Sequence, residues 1–195
     1  MDRCFYKALN GPAFGLVLLM AGTGPLRAEP GVLSATITPA NTRIGFTING
    51  IGWPQTRGVF DAFKGRLRVD FAHPAKSFVS VDIRAASVDA GGASITSYIK
   101  SSAMLDVAQH PAMNFRSTSV RRTSAHSVAL TGLLSFFGAT HPVTFTVRVL
   151  SKPGQRPLAF VATGAIQRSA FGFISGQPLI SDTARITIAS RGRGL

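Results

Sequence analysis

The sequence predicts an all-β protein, built as one antiparallel barrel or sandwich, from two observations. Apolar and polar residues alternate in segment after segment, which is the period-two pattern of strands that hide one face from water. Turn-forming residues separate most of these segments, whereas a parallel α/β sheet would place a helix between successive strands. The alternating segments number about eight, and closing them into a barrel would remove the exposed edges of a flat sheet.

The alternation is clearest from Val143 to Val149, where valine or phenylalanine takes every second position and threonine or arginine the positions between. The other predicted strands cover residues 43–49, 66–71, 79–84, 113–120, 127–137, 160–166 and 185–188. One segment breaks this rhythm. Between residues 93 and 109 the apolar side chains recur at helix-like spacings before Pro111, which predicts one or two short helices.

The N-terminal segment, residues 1–28, has the order of a secretory signal peptide. Arg3 and Lys7 precede an apolar run at residues 13–21, and a segment with Gly, Pro and a terminal Ala follows. The run is too short to span a bilayer, which takes about 20 residues. We therefore expect an exported protein whose residues 29–195 form a single domain, because no internal repeat or linker divides them.

Charge and cysteine content narrow the classes of function. The formal net charge of +13 favours anionic partners such as an acidic membrane surface. Nucleic acid is not expected, because an exported protein rarely meets it and the arginines are scattered rather than clustered. The one cysteine, Cys4, lies in the predicted signal peptide, so the mature chain is expected to have no disulfide and no thiol chemistry.

Side chains suited to catalysis or metal binding are few and dispersed. The four histidines, at positions 73, 110, 126 and 141, show no recognised ligand spacing, and neither a G-x-S-x-G motif nor a phosphate-binding loop occurs. The aspartates of the strands lie on polar faces, where a surface carboxylate beside arginine is the ordinary interpretation. We expect no enzyme activity, no cofactor and no metal, while a metal site assembled from distant loops is left open.

Apolar bulk, in contrast, is abundant. The chain has 14 Phe but only one Trp and two Tyr, and phenylalanine suits a packed core and an apolar tunnel equally well. A barrel of about eight strands can be filled by its own side chains or can hold one slender ligand. The residue pattern leaves both interiors open.

A set of ordered segments resembles the YceI-like family of exported bacterial proteins. These segments are "RIGFTING", "GVFDAFKGRLRVD", "SVDA", "SSAMLDVAQHPAMNFRSTSV", "GLLSFFGATHPVTFTV", "AIQRSAFGF" and "ISDTARITIA". The resemblance implies an eight-stranded antiparallel, lipocalin-like β-barrel with an elongated apolar cavity. It also implies a non-catalytic periplasmic protein that binds a polyisoprenoid or another long-chain lipid, an isoprenoid quinone or a prenyl phosphate among them.

The chain departs from the family pattern at several positions where relatives carry ionisable groups. Asn41 and Gly50 stand where relatives often have histidine, and residues 95–99 read "ITSYI" where many have Arg-Asp-x-His-Leu. Ala170 replaces the aspartate of an Arg-Ser-Asp-Phe-Gly run. The apolar positions are kept, so the barrel is expected to be intact.

With the resemblance favouring a tunnel, ten apolar residues on the hidden faces are predicted to line it. They are Phe46, Ile48, Leu67, Val69, Val81, Ile83, Phe145, Val147, Phe160 and Ile166. Arginines near the mouth would meet a phosphate head group through charge-assisted hydrogen bonds. The alternative is a basic envelope module that docks on an anionic membrane or a partner protein without an internal ligand. The oligomeric state is left open, with a homodimer among the possibilities.

Overall fold

The structure is a computed structural model that describes residues 31–52, 55–152 and 157–190. Within these residues, eleven strands form one sheet in which every neighbouring pair is antiparallel. The strands are β1 (Val32–Ile37), β2 (Thr42–Gly50), β3 (Thr56–Phe60), β4 (Phe63–Asp70), β5 (Phe78–Arg84), β6 (Val88–Asp89), β7 (Ala112–Ser124), β8 (Ser127–Phe136), β9 (Ala139–Val149), β10 (Phe160–Gln167) and β11 (Ile180–Ser190). The predicted signal peptide, residues 1–28, lies outside the described residues.

Short connections curl this sheet into a barrel. The strand order is β1-β4-β5-β7-β8-β9-β10-β11-β2-β3-β6, so β1 lies at one edge and β2 eight positions away. Eight steps of about 4.8 Å would separate them by roughly 38 Å in a flat sheet. Yet only residues 38–41 join β1 to β2, and such a link reaches less than about 20 Å. The edge strand β1 must therefore lie close to β2, which curls the strands between β1 and β2 round on themselves.

The turn between β1 and β2 depends on Asn41. Its Oδ1 accepts a hydrogen bond from the Thr38 amide at 3.0 Å, and its Nδ2 donates to the Thr36 carbonyl at 2.9 Å. The amide nitrogens of Asn41 and Thr42 both donate to the Thr38 carbonyl. An asparagine side chain readily mimics a backbone turn in this way. The departure from the family pattern at this position thus has a structural use.

The all-β barrel-like fold is confirmed, and the predicted count of eight strands is corrected to eleven in the described residues. All eight predicted strands are present, as β2, β4, β5 and β7–β11. The missed strands are β1, β3 and β6. Gly58 interrupts the alternation of β3, and β6 has only two residues, which is too short for a period-two pattern to be recognised.

The predicted helical segment contains one α-helix, α1 (Ala93–Lys100), and residues 101–109 continue as a series of turns. Ile99 of α1 is buried, as are Met104 and Leu105 in the following turns, so the segment packs its apolar side chains against the barrel. Three short 3₁₀ turns are also present, at Pro74–Lys76, Ala85–Ser87 and Ser169–Phe171. No helix in the described part of the chain is long and apolar enough to cross a membrane.

The registers of the strand pairs show which turns lie at each of the two ends of the barrel. Asn114 at the start of β7 pairs with Ser135 at the end of β8, so the β8–β9 turn lies at the end where β7 begins. The turns after α1 lead into this end, and His110 stacks on Phe137 there with ring centroids 4.1 Å apart. We call it the helix end. The opposite end, where the β7–β8 turn lies at residues 125–126, is called the hairpin end.

Candidate ligand-binding cavity

The inward faces of the strands enclose a cavity of about 840 Å³. This volume lies within the roughly 300–1,000 Å³ typical of small-molecule sites. The lining comes from all long strands of the barrel and from α1, and most of its side chains are apolar. The lining reaches exposed residues at both the helix end and the hairpin end. The interior is therefore hollow rather than filled by its own side chains.

All ten residues predicted to line a tunnel do line this cavity. They are Phe46 and Ile48 of β2, Leu67 and Val69 of β4, Val81 and Ile83 of β5, Phe145 and Val147 of β9, and Phe160 and Ile166 of β10. The period of two in each strand puts every second side chain on the same face, so the alternating pattern identifies the lining directly. That these residues contact a ligand stays a prediction.

The hollow exists because some inward positions carry no side chain. Gly164 of β10 lies directly opposite Phe145 of β9, and a Cβ atom at Gly164 would come within 2.6 Å of the Phe145 ring. Gly58 of β3 lies opposite Phe46 of β2 in the same relation, and its Cβ would overlap the Phe46 ring. Each ring therefore lies against the wall over a glycine, which leaves the centre of the barrel open.

The rim of the cavity at the helix end is mostly apolar. Ile95 and Tyr98 of α1 and Leu179, just before β11, line the cavity and are 37%, 48% and 55% exposed. Ile51 adds a further exposed apolar side chain next to Leu179, since its amide donates to the Leu179 carbonyl at 2.8 Å. Exposed apolar residues grouped at the mouth of a cavity are typical of a ligand-binding or interaction site.

A buried arginine supports the segment between β10 and β11 at the helix end. Arg168 is 1% exposed, and its guanidinium donates to the backbone carbonyls of Ser181, at 2.9 Å, and Ser175. The guanidinium also stacks 4.3 Å from the centre of the Phe173 ring, while its Nε has no hydrogen-bond partner. Burial lowers the pKa of Arg168, and the nearby Asp182 opposes this effect. No motif in the sequence indicates this role of Arg168.

Asp182 fixes the same segment from the outside. Its carboxylate accepts hydrogen bonds from the Ser169 amide at 2.7 Å, the Ser169 hydroxyl at 2.6 Å and Gln177 Nε2 at 2.9 Å. Donation by the Ser169 hydroxyl is the main reason why the pKa of Asp182 lies below its ordinary value of 3.8. The segment that covers the helix end is therefore held by two side chains of opposite charge.

The rim at the hairpin end is richer in polar side chains and carries the cationic Arg122 and the carboxylate of Asp70 beside apolar residues such as Phe71 and Leu158. Arg122, Ser124, His126 and Ser127 of the β7–β8 hairpin line the cavity there, together with Ser151 after β9. The strands predicted from the sequence cover residues 113–120 and 127–137, and no role is assigned to residues 121–126 between them. The one available signal is the run of hydroxyl and basic residues at positions 121–127.

The histidines are divided between the two ends, His73 and His126 at the hairpin end and His110 and His141 at the helix end. The His141 ring packs edge-on against Phe171 with centroids 5.1 Å apart. Among residues 31–52, 55–152 and 157–190, no three His, Cys, Asp or Glu side chains are grouped so that they could hold a metal ion.

The fold and the site define an antiparallel β-barrel protein with an apolar internal cavity. The model of the YceI-like domain matches residues 36–191, and the chain belongs to the YceI-like family. Relatives include a UPF0312 protein of Azotobacter vinelandii, 34% identical over 75% of this chain and 74% of its own length. A UPF0312 protein of Pseudomonas putida is 32% identical over 95% of this chain and 96% of its own. The resemblance seen in the sequence is confirmed.

Solved structures share the fold. The crystal structure of Burkholderia cenocepacia BcnA superposes with a TM-score of 0.72 at 22% identity, covering 79% of this chain and 98% of that protein. A polyisoprenoid binding domain from Saccharophagus degradans gives a TM-score of 0.55 at 12% identity, covering 80% of this chain and 95% of that domain. At these identities the likeness concerns the fold alone.

Proposed function

We propose that this chain is a non-catalytic binding protein that holds a long-chain lipid of the polyisoprenoid class inside its barrel. The observation that carries the proposal is the apolar cavity of about 840 Å³, which the barrel leaves open along its inward faces. Membership of the YceI-like family and the fold shared with the polyisoprenoid binding domain of Saccharophagus degradans support a binding role.

The chemistry of the wall favours a long apolar ligand. Burial of each methylene group contributes about 0.8 kcal/mol, and this contribution does not depend on direction. The gain is opposed by the cost of ordering a flexible chain and restricting its translation. The cavity is therefore expected to select ligands by length and girth, and the rings of Phe46 and Phe145 on its wall limit the girth.

Three finer features belong to the same proposal. The ligand is an isoprenoid quinone or a prenyl phosphate. Export to the periplasm rests on the signal-like residues 1–28, and loss of this segment from the mature protein, read from its intact mass, is the corresponding test. Peripheral contact with an anionic membrane is consistent with the net charge of +13.

The bound lipid is tested by native mass spectrometry of the full purified chain, followed by organic extraction and lipid analysis. We expect a mass adduct near one lipid per chain and the same long-chain lipid in the extract. Occupancy should be nearly independent of salt, because burial of apolar surface is not screened by ions. An empty extract, together with failure to take up added polyprenol, would contradict the proposal.

A further inference from the structure

We infer that the hairpin end of the cavity is the site for an anionic phosphate head group, with Arg122 as its principal donor. This inference rests on the proposed function, because it assigns the direction in which a lipid lies in the cavity. The phosphate end lies among the polar residues of the hairpin rim, and the chain runs inward toward the helix end.

The first support is the chemistry of the rim. Arg122, Ser124, His126, Ser127 and Ser151 supply a guanidinium, hydroxyl groups and an imidazole at one end of a mostly apolar wall, where Asp70 contributes the one carboxylate among the described residues of the lining. Arginine and hydroxyl donors are suited to phosphate oxygens, and charge-assisted hydrogen bonds from a guanidinium are among the strongest of these contacts. The opposite rim, with Ile95, Tyr98 and Leu179, offers mainly apolar side chains.

The second support is the distribution of charge along the barrel. Six aspartates occur in the described residues, and five of them lie toward the helix end: Asp61, Asp82, Asp89, Asp106 and Asp182. The sixth, Asp70, lines the cavity at the hairpin end; it is buried, and its carboxylate accepts a hydrogen bond from the His73 amide at 2.7 Å and lies 3.6 Å from the His73 imidazole. Exposed cations at the hairpin end are Lys76, Arg121, Arg122 and Arg148. The potential at this end is therefore positive and attracts anions.

The third support is the placement of Arg122. Its Nη2 donates to the Phe71 carbonyl at 2.7 Å, which ties the side chain from β7 across to the link that follows β4. This bond uses one of the five N–H donors of the guanidinium. The group is exposed and lines the cavity, so the remaining donors are accessible to a ligand at the rim.

Arg168, the other arginine of the lining, is poorly suited to the same task. It is 1% exposed, and both terminal nitrogens already donate to the backbone carbonyls of Ser175 and Ser181. A phosphate that approached it would lose its water at the apolar end of the cavity, which is costly for a charged group.

The test compares a prenyl phosphate with the prenyl alcohol of the same chain length, bound to the full protein. We expect the wild type to bind the phosphate at least about tenfold more tightly than the alcohol. Arg122→Gln should remove most of this preference and leave binding of the alcohol unchanged. The matched control is Arg57→Gln, because Arg57 is an exposed arginine on β3 near the opposite end and should leave both affinities unchanged.

The outcomes separate this inference from the proposed function. Retention of the full phosphate preference by Arg122→Gln, with an unchanged melting temperature, would overturn the inference while binding of the alcohol upheld the proposed function. Loss of the preference in Arg57→Gln would also overturn it. Failure of the wild type to bind either lipid would overturn both. Inorganic phosphate is the last arm: competition that Arg122→Gln abolishes would support the same site and extend it to free phosphate.

Discussion

The two ends of the barrel differ in the side chains that surround the cavity. At the helix end, α1 and the segment between β10 and β11 partly cover the opening, and the rim includes the apolar side chains of Ile95, Tyr98 and Leu179. At the hairpin end the cavity reaches a rim with Arg122 and His126. The contrast teaches that a barrel with a mostly apolar interior can still have two different ends. The loops that form each rim differ in sequence, whereas the inward faces of the strands between them are mostly apolar.

The covered end depends on a buried guanidinium, which the described residues of the hairpin end lack, and Arg168→Ala is the strongest test of this difference. Loss of the guanidinium leaves the carbonyls of Ser175 and Ser181 without their donor and removes the packing on Phe173. An unpaired buried group costs about 1–3 kcal/mol, so we expect a loss of roughly 3 kcal/mol in the free energy of unfolding. For a chain of this size this lowers the melting temperature by about 6–12 °C, as measured by circular dichroism.

Arg185→Ala is the control for this substitution. Arg185 lies exposed on β11, and an exposed substitution usually changes stability by less than about 0.5 kcal/mol. Equal melting temperatures of the two variants would show that Arg168 does not support the covered end.

The long strands could be predicted from the sequence because the register preserves the period of two from one strand to the next. Phe145 and Val147 line the cavity for the same reason that they alternate with threonine and arginine in the sequence. The role of Arg168 could not be predicted, since its partners are backbone carbonyls at Ser175 and Ser181 and leave no trace in residue type. Only the folded segment brings them together.

The pattern of residues alone also could not predict that the interior is hollow. A glycine within a strand weakens the alternation, as Gly58 does in β3, and does not reveal that a ring from the next strand lies over it. Whether an inward phenylalanine fills the centre or lies on the wall is decided by what stands opposite it. The same sequence of apolar residues is therefore compatible with a solid barrel and with a hollow one.

The second test concerns the wall that both ends share, and Gly164→Ala is the substitution. The new Cβ would lie 2.6 Å from the Phe145 ring, so the ring must move off the wall and toward the cavity. Overpacking of this kind costs typically about 1–3 kcal/mol, and the narrower cavity should bind a long-chain lipid at least about tenfold more weakly. Lipid retained after purification, quantified against protein by mass spectrometry, is the measurement.

Gly45→Ala is the matched control in β2. A Cβ at Gly45 meets its nearest neighbours at 3.5–3.9 Å, which is ordinary contact, so stability and lipid content should be nearly unchanged. If both glycine variants retained lipid equally, the ring of Phe145 would not determine the width of the cavity.

The smallest effects are expected from the two aspartates that hold loops at opposite ends, and here pH provides the comparison. The pKa of Asp182 is lowered mainly by the Ser169 hydroxyl, and that of Asp70 mainly by the His73 amide, both from the ordinary value of 3.8. A lowered pKa in the folded state stabilises the fold above the unfolded value, and this contribution is lost as the pH falls through the folded value. Each wild-type carboxylate therefore contributes to acid unfolding below about pH 3.8, and an asparagine in its place does not.

We expect Asp182→Asn and Asp70→Asn to lower the melting temperature at neutral pH and to approach the wild type as the pH falls from about 5 to about 2. The neutral-pH loss should be larger for Asp182→Asn, because this carboxylate accepts three hydrogen bonds at the covered helix end. Asp70 accepts from the backbone amides of His73 and Ala72, with the His73 imidazole 3.6 Å away. A gap between variant and wild type that stayed constant with pH would mean that the lost contacts do not depend on the charge of the carboxylate. The two ends would then differ in packing alone.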